Sequence, residues 1–322
     1  MSEQNILVTG AGGFLGPWLC ERLIGEGKRV FALDIAYHPN SRIHEIKDLA
    51  ERIEADVNDY DQMLNILRSR KIEIVFHLAA QALVGVALNQ PYETLKTNIL
   101  GTMNILEAAR YLKDFETGLK AIIVASSDKA YGDQDKLPYI ELAPMQGKFP
   151  YDVSKSCADL ISRSYFYTYK LPICVTRCGN MFGGGDLNWS RLIPGTIFSC
   201  IKSENPPIRS DGTLVRDYVY VQDVAEALSI LADKMIEDKD LHGMAFNISN
   251  DSPKSVLEVV RRIIDLMARP ELTPVVENTA RAEIAAQYLS SSLFREKTGW
   301  SPRFDFESGL KETIKWYEAK YK

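Results

Sequence analysis

The sequence predicts an α/β fold: a Rossmann-type doubly wound parallel sheet joined to a smaller C-terminal α/β substrate-binding domain. Three observations lead there. Short apolar runs alternate with amphipathic stretches through the first half, a glycine-rich turn follows the first run, and an aspartate closes the second. Strand, helix, strand in repetition is the sequence form of a parallel sheet covered by helices on both faces. The predicted strands are residues 6–9, 29–34, 52–55, 73–77, 120–126 and 173–177; the helices between them are 15–24, 61–70, 92–112 and 151–169. After Cys178 the pattern turns irregular, with Gly183-Gly184-Gly185, Pro194 and Pro206-Pro207. Helices are then predicted over 221–235, 255–267 and 307–319, and a strand over 244–248. Residues 1–176 thus read mainly as a cofactor domain and 177–322 mainly as a substrate-side domain, with some later segments returning to the first.

Composition narrows the classes. A chain of 322 residues, 46% hydrophobic and 25% charged, has ample apolar material for a core. This excludes a disordered chain, a collagen-like repeat and a small disulfide scaffold. A net charge of -5 argues against a broad nucleic-acid surface but leaves small anionic ligands open. The cysteines (Cys20, Cys157, Cys174, Cys178 and Cys200) are scattered and odd in number. Cys174 and Cys178 are spaced CxxxC with no neighbouring histidine, so reduced thiols and no metal are expected. An apolar strand begins just after Asn5, which leaves no room for a signal peptide; the most apolar window, 75–88, is too short to span a bilayer. The expectation is a cytoplasmic protein with no membrane or nucleic-acid partner.

Gly10, Gly13 and Gly16 are spaced GxxGxxG after a strand and before a helix, the context a dinucleotide fingerprint needs. Gly10 permits the tight turn, Gly13 lets the backbone approach a pyrophosphate, and Gly16 lets the helix pack close, with its N-terminus toward the phosphate charge. Asp34 ends the second strand, where a carboxylate accepts from ribose hydroxyls and repels a 2′-phosphate, which favours NAD over NADP. Asp56 follows the third strand and reads either as a contact to the adenine edge or as a turn residue.

Tyr151 and Lys155 form YxxxK at the start of a predicted helix, so both lie on one face. The lysine ammonium is expected to lower the tyrosine pKa toward neutrality, letting the phenolate take a hydroxyl proton during hydride transfer to NAD. Asp128 and Lys129 follow Ser126-Ser127 at the carboxyl end of a central strand, where α/β folds bind ligands.

These pieces together resemble the extended short-chain dehydrogenases/reductases that act on nucleotide sugars. The resemblance rests on TGAGGFLG (9–16), HLAAQ (77–81), Asn98 with Gly101-Thr102, SSDKAYG (126–132), PYDVSK (150–155), Arg177, GNMFGGGD (179–186), RDYVYVQD (216–223) and TGWSPRF (298–304), covering essentially the whole chain. Within that superfamily, Asp128-Lys129 after Ser127 resembles the nucleotide-sugar 4,6-dehydratases, the CDP-glucose enzymes most closely in GFLGPWL and GNMFGGGDLNWSRLIP. The resemblance implies catalytic roles for Ser127, Asp128, Lys129, Tyr151 and Lys155. Lys129 is the candidate base at C5, which requires its neutral form; a charged Lys129 would instead stabilise the enolate. Asp128 is the candidate acid for the C6 hydroxyl. It further implies cofactor contacts from Phe14, Leu15, Val57, Leu78, Ala79, Ala80 and Asn98, besides Tyr151 and Lys155. A nucleotide-diphosphate sugar is the implied substrate, touched by Gln81, Val84, Ser127 and Asn180, with Arg191, Arg216 and Arg281 on its diphosphate. Serines stand where the family often has an aspartate near Ser291. His77 reads as a packed strand-end residue, and Trp300 and Trp316 as core. The apolar surfaces of helices 92–112 and 151–169 imply a homodimer or a dimer of dimers. A 4-epimerase is the alternative, disfavoured by Asp128-Lys129; Asp34 disfavours an NADPH-dependent reductase, and an intact Ser127, Tyr151 and Lys155 disfavour a non-catalytic sensor.

Overall fold

The computed structural model describes residues 4–46, 50–115, 118–279 and 284–322. Its centre is a parallel sheet built from β1 (Asn5–Thr9), β2 (Arg29–Asp34), β3 (Glu51–Glu54), β4 (Ile74–His77), β5 (Ala121–Ala125), β6 (Ile173–Cys178) and a seventh strand, Ala245–Ile248. Their spatial order is Ala245–Ile248, β6, β5, β4, β1, β2, β3. The alternation of the sequence locates the first six. The seventh comes back from the C-terminal half, pairing Ala245 with Val175. Helix Val221–Glu237 returns with it and packs on α1 (Leu15–Gly25).

Side chains of successive residues leave a strand on opposite faces. Ile6 and Val8 join Leu19 and Leu23 of α1 and Leu228 on one face, while Leu7 meets Leu67 of α2 (Tyr60–Ser69) and Ile105 and Ala109 on the other. With both faces covered, the central strands carry apolar side chains on both faces, and each buried aliphatic side chain contributes about 1.5–3 kcal/mol.

Two departures from the sequence reading shape the crevice. The helix expected over 92–112 is a short helix, Pro91–Leu95, then a π-helical turn, Lys96–Leu100, then Gly101–Phe115. The widened turn is where Asn98 points inward, and Gly101 follows it because a Cβ there would lie 2.7 Å from the Val57 side chain. Widened turns of this kind concentrate at functional sites. Helix Leu192–Ile201 forms where proline suggested irregularity, because Pro194 falls in the first turn and removes no helical hydrogen bond. The strand order reverses between β1 and β4, and the crevice at their carboxyl ends is where such sheets bind ligands. Among the described residues no helix is long and apolar enough to cross a membrane.

Candidate active site

The cofactor side is built first from main chain. Gly10 leaves β1 with φ of 71°, and a Cβ there would lie 2.7 Å from Ala79 N; one at Gly16 would lie 2.5 Å from the Gly10 carbonyl oxygen. No side chain fits at either position. The result is an open cradle at the N-terminus of α1, entered through Phe14 and Leu15, with no acidic residue in the first helical turn. A helix start of that kind suits a phosphate. Gly13 closes the turn by donating its N–H to the Gly10 carbonyl at 3.1 Å. Asp34 accepts from Gly12 N–H and Ile35 N–H, both at 2.8 Å. Burial pushes the Asp34 carboxyl up, and these N–H groups oppose the shift. A cradle that a Cβ would fill, facing a carboxylate at the end of β2, fits a dinucleotide with free ribose hydroxyls.

The wall of the crevice comes from the chain leaving β4. Leu78 N–H donates to the Thr9 carbonyl and Ala79 N–H to the Thr9 hydroxyl, each at 3.2 Å, which brings Leu78, Ala79 and Ala80 alongside Gly10. Asn98 stands on the π-helical turn. It is 1% exposed, accepts from Gln81 N–H at 2.8 Å, and donates to the Gln81 carbonyl (3.1 Å) and Ser154 hydroxyl (2.8 Å). Its side chain is a clasp that holds the 79–81 segment to the neighbouring helix. Gln81 folds its amide back on Leu83, and Val84 is exposed at the start of the next helix. Asp56 Oδ1 is taken by the backbone and side chain of Asn58, both at 2.9 Å, which is the geometry of a turn residue. Val57 is buried, and its carbonyl accepts from Asn104 at 3.0 Å. His77 is packed as expected, between the hydroxyls of Thr9 (2.9 Å) and Thr102 (3.1 Å); burial, reinforced by the Lys155 charge, lowers it to about 3.

The reactive groups gather where β5 ends. Ser127 caps a single 3₁₀ turn, Asp128–Tyr131; its hydroxyl accepts from Lys129 N–H at 3.2 Å and donates to Asp128 Oδ1 at 3.0 Å. Tyr151 and Lys155 stand on the helix Pro150–Tyr169, which packs against that turn. Here an expectation fails. Burial pushes the Tyr151 phenol up to about 12, Asp128 and Asp152 push the same way, and neighbouring Ser127 and the Arg191 charge oppose. The Lys155 ammonium does not reverse this, because it is buried and donates to the Ala125 carbonyl at 2.8 Å; burial brings it down to about 8. Lys129 Nζ donates to Gln287 Oε1, and its charge acts on Asp152. Asp128 is buried on the same turn.

That turn is anchored from beneath. Arg177, at the end of β6 and fully buried, holds Asp159 through two bonds, Nε–Oδ2 at 2.7 Å and Nη2–Oδ1 at 3.0 Å. Its Nη1 donates to Tyr131 Oη at 2.7 Å and to the Glu141 carbonyl at 2.9 Å. Tyr131 then donates to Asn247 Oδ1 at 2.7 Å, tying the last residue of the 3₁₀ turn to the seventh strand.

On the substrate side, Asn180 N–H donates to the Asp217 carbonyl at 3.0 Å, while its Nδ2 is buried without a hydrogen-bond partner. A buried donor left open in this way can take an acceptor atom from a ligand. Arg216 is 7% exposed on the strand Val215–Arg216, with one guanidinium nitrogen bonded to the Val215 carbonyl. Arg191 is tied to Asp186 at 2.9 Å and lies close enough for its charge to act on Tyr151. Arg281 lies outside the described residues.

Comparisons with known proteins agree with this arrangement. The sequence model of the GDP-mannose 4,6 dehydratase family matches residues 7–313. The chain belongs to that family. Family relatives include a CDP-glucose 4,6-dehydratase of Salmonella typhimurium, 29% identical over 98% of this chain and 91% of its own length. A dTDP-glucose 4,6-dehydratase of Neisseria gonorrhoeae is 30% identical over 98% of this chain and 96% of the relative. Among solved structures, the dTDP-glucose 4,6-dehydratase of Bacillus anthracis in complex with NAD superposes with a TM-score of 0.85 at 26% identity, covering 99% of this chain and 97% of that one. A UDP-glucose 4-epimerase of Thermotoga maritima with UDP-glucose gives 0.90 at 27% identity, covering 99% of this chain and 100% of the other. The fold is therefore common to dehydratases and epimerases.

Three residues of this family member's site went unmarked in the sequence reading. Asp159 and Glu141, which serve the Arg177 anchor, sit in segments with no motif of their own. Gln287, which meets Lys129, lies 158 positions away from it, and nothing local signals such a contact.

Proposed function

We propose that this chain is an NAD-dependent nucleotide-sugar 4,6-dehydratase, a hydro-lyase that converts a nucleotide-diphosphate hexose into its 4-keto-6-deoxy form. The observation that carries the reading is Asp128-Lys129 on the turn leaving β5, beside Ser127 and Tyr151. An epimerase only oxidises and re-reduces C4, so an acid and a base at C5 and C6 serve no purpose there. Bound NAD supplies a reversible hydride acceptor, with Gly10, Gly16, Asp34 and the segment after β4 as its seat. Residues 1–176 hold mainly this cofactor and 177–322 mainly the nucleotide sugar.

Tyr151, with Ser127 beside it, takes the proton of the C4 hydroxyl as that carbon is oxidised to a ketone; it does so as the phenolate, so the proton of its own burial-raised phenol has to leave first. The ketone acidifies C5–H. Lys129 takes the C5 proton and Asp128 gives a proton to the departing C6 hydroxyl, so water leaves and a C5–C6 double bond forms. The hydrogen and electron pair removed from C4 return to C6, and a proton returns to C5. No external oxidant or reductant is consumed. Lys129 acts as the base only in its neutral form, in which it still has an N–H to donate to Gln287. To the diphosphate we assign Asn180, Arg191, Arg216 and, from the sequence resemblance alone, Arg281; to the hexose, Gln81 and Val84.

The test is incubation with CDP-glucose, UDP-N-acetylglucosamine, dTDP-glucose, GDP-mannose and a GDP-heptose without added NADPH, followed by mass analysis. A product lighter by one water is expected. A product of unchanged mass and altered stereochemistry would move the chain to the epimerases, and no turnover of any sugar would leave a non-catalytic dinucleotide protein.

We infer a homodimer, or a dimer of dimers, from the helices that flank the crevice. Tyr92 is 72% exposed and Leu160 53% on neighbouring helices, with Leu100, Met103 and Tyr167 also exposed. Exposed apolar side chains gathered on neighbouring helices suit a contact between two copies of the chain. Tyr92→Glu combined with Leu160→Glu is expected to give a monomer by light scattering; a dimer of unchanged mass would place the interface elsewhere. The five unpaired thiols suit the reducing cytoplasm, which is the compartment we assign.

A further inference from the structure

Gln287 is fully buried on the two-residue strand Ala286–Gln287, far in sequence from the reactive turn but in contact with its Asp128 and Lys129. Its Oε1 accepts from Lys129 Nζ, and its Nε2 donates to the main-chain carbonyl of Asp128 at 2.9 Å. One uncharged amide thus grips the acid's backbone and the base's side chain at once. A buried polar side chain with both ends bonded is costly to replace, since either partner is then left short of a bond.

The strand that carries Gln287 also connects the turn to the substrate side. Ala286–Gln287 pairs in parallel with Val215–Arg216, and Gln287 stands directly beside Arg216 in that register. Just beyond, Tyr139 N–H donates to the Tyr288 carbonyl and Ser290 N–H to the Tyr139 carbonyl, both at 2.9 Å, so the loop after the reactive turn is zipped to the same segment. Tyr139 and Leu289 pack there with Tyr131, the residue that ends the turn. The arginine strand, Gln287 and the acid–base turn therefore form one continuous contact path.

We propose that Gln287 is a positioning residue for the elimination step, holding Lys129 Nζ and the Asp128 backbone in register with the substrate-binding strand of Arg216. This rests on the dehydratase reading above and assigns Gln287 no contact with the reacting atoms. The amide carbonyl accepts one N–H from Lys129 in either protonation state, so in the neutral state the lone pair is aimed by the same bond. The carbonyl also favours the ammonium form, as any acceptor on a charged donor does. Its neighbour then sets the pH at which the base becomes available.

Two near-isosteric variants read this out. In Gln287→Leu both bonds are lost, and kcat for dehydration is expected to fall roughly 10- to 100-fold with KM little changed. C4 oxidation continues in that variant, so reduced nicotinamide builds up on the enzyme in a single turnover, seen by its absorbance. The limb of the pH–rate profile that reports Lys129 moves to lower pH, because an acceptor of the ammonium has gone. In Gln287→Glu the added negative charge favours the ammonium, and the same limb moves to higher pH. A merely structural glutamine would not shift the limb in opposite directions. Unchanged kcat and an unmoved limb in both variants would overturn the proposal, as would an equal loss of C4 oxidation and dehydration. If the unsubstituted protein removes water from none of the sugars, it is the dehydratase reading that falls; if it does so and Gln287→Leu matches it, only the role of Gln287 falls.

Discussion

Asp128→Asn is expected to leave C4 oxidation running while dehydration falls about 100- to 10,000-fold, the usual range for removing a positioned acid. The substitution keeps the shape of the side chain and its carbonyl oxygen, so Ser127, which donates to Asp128 Oδ1 at 3.0 Å, still has its acceptor. What is lost is the proton for the departing C6 hydroxyl. Lys129→Met is expected to behave alike for the opposite reason, since C5–H then has no base. The two reactions separate cleanly because they use different groups: Tyr151 and Ser127 serve C4, and Asp128 and Lys129 serve C5 and C6. Bound reduced nicotinamide measured in a single turnover, alongside the mass of the released sugar, resolves them. Normal dehydration by Lys129→Met would show the base assignment to be wrong. Loss of C4 oxidation in both variants would mean that the pair holds the turn together and does no proton transfer. The pH profile supplies a further check. A lysine base makes dehydration rise with pH through its titration, whereas a lysine that only stabilises the enolate makes the rate fall there.

The parts of this molecule that were legible in the sequence are those written locally. Gly10 and Gly16 follow a strand and precede a helix, and the structure leaves no room for a Cβ at either. Asp34 meets the same turn through Gly12 N–H. The reading failed where burial or distant partners decide. YxxxK spacing correctly placed Tyr151 and Lys155 on one helix but could not show that Lys155 donates to the Ala125 carbonyl, nor that burial lifts the phenol to about 12. Nor could the motif around Asn98 show that its side chain bonds Gln81 and Ser154 from a π-helical turn. Gln287 had no signal at all, since its partners come from the other half of the chain.

Breaking the anchor beneath the reactive turn is expected to have the largest effect on stability. Arg177 and Asp159 are 1% and 0% exposed, so removing one leaves the other charged and unpaired in the interior. Such a loss costs about 3–5 kcal/mol. Asp159→Ala should therefore unfold at markedly lower denaturant, with an unchanged slope if the two-state description holds. The double variant Arg177→Met/Asp159→Leu tests what the pair is for. Replacing a buried ion pair with apolar groups of similar size is often neutral for stability, so much of the lost stability should return. Activity should not return with it, because Arg177 also donates to Tyr131 Oη and the Glu141 carbonyl. Those bonds fix the far end of the turn that carries Asp128 and Lys129, and a displacement of the order of 1 Å there costs about 100-fold in rate. Recovery of both stability and turnover would reduce the network to a core contact. Recovery of stability alone makes Arg177 the residue through which the central sheet holds the acid and the base in place.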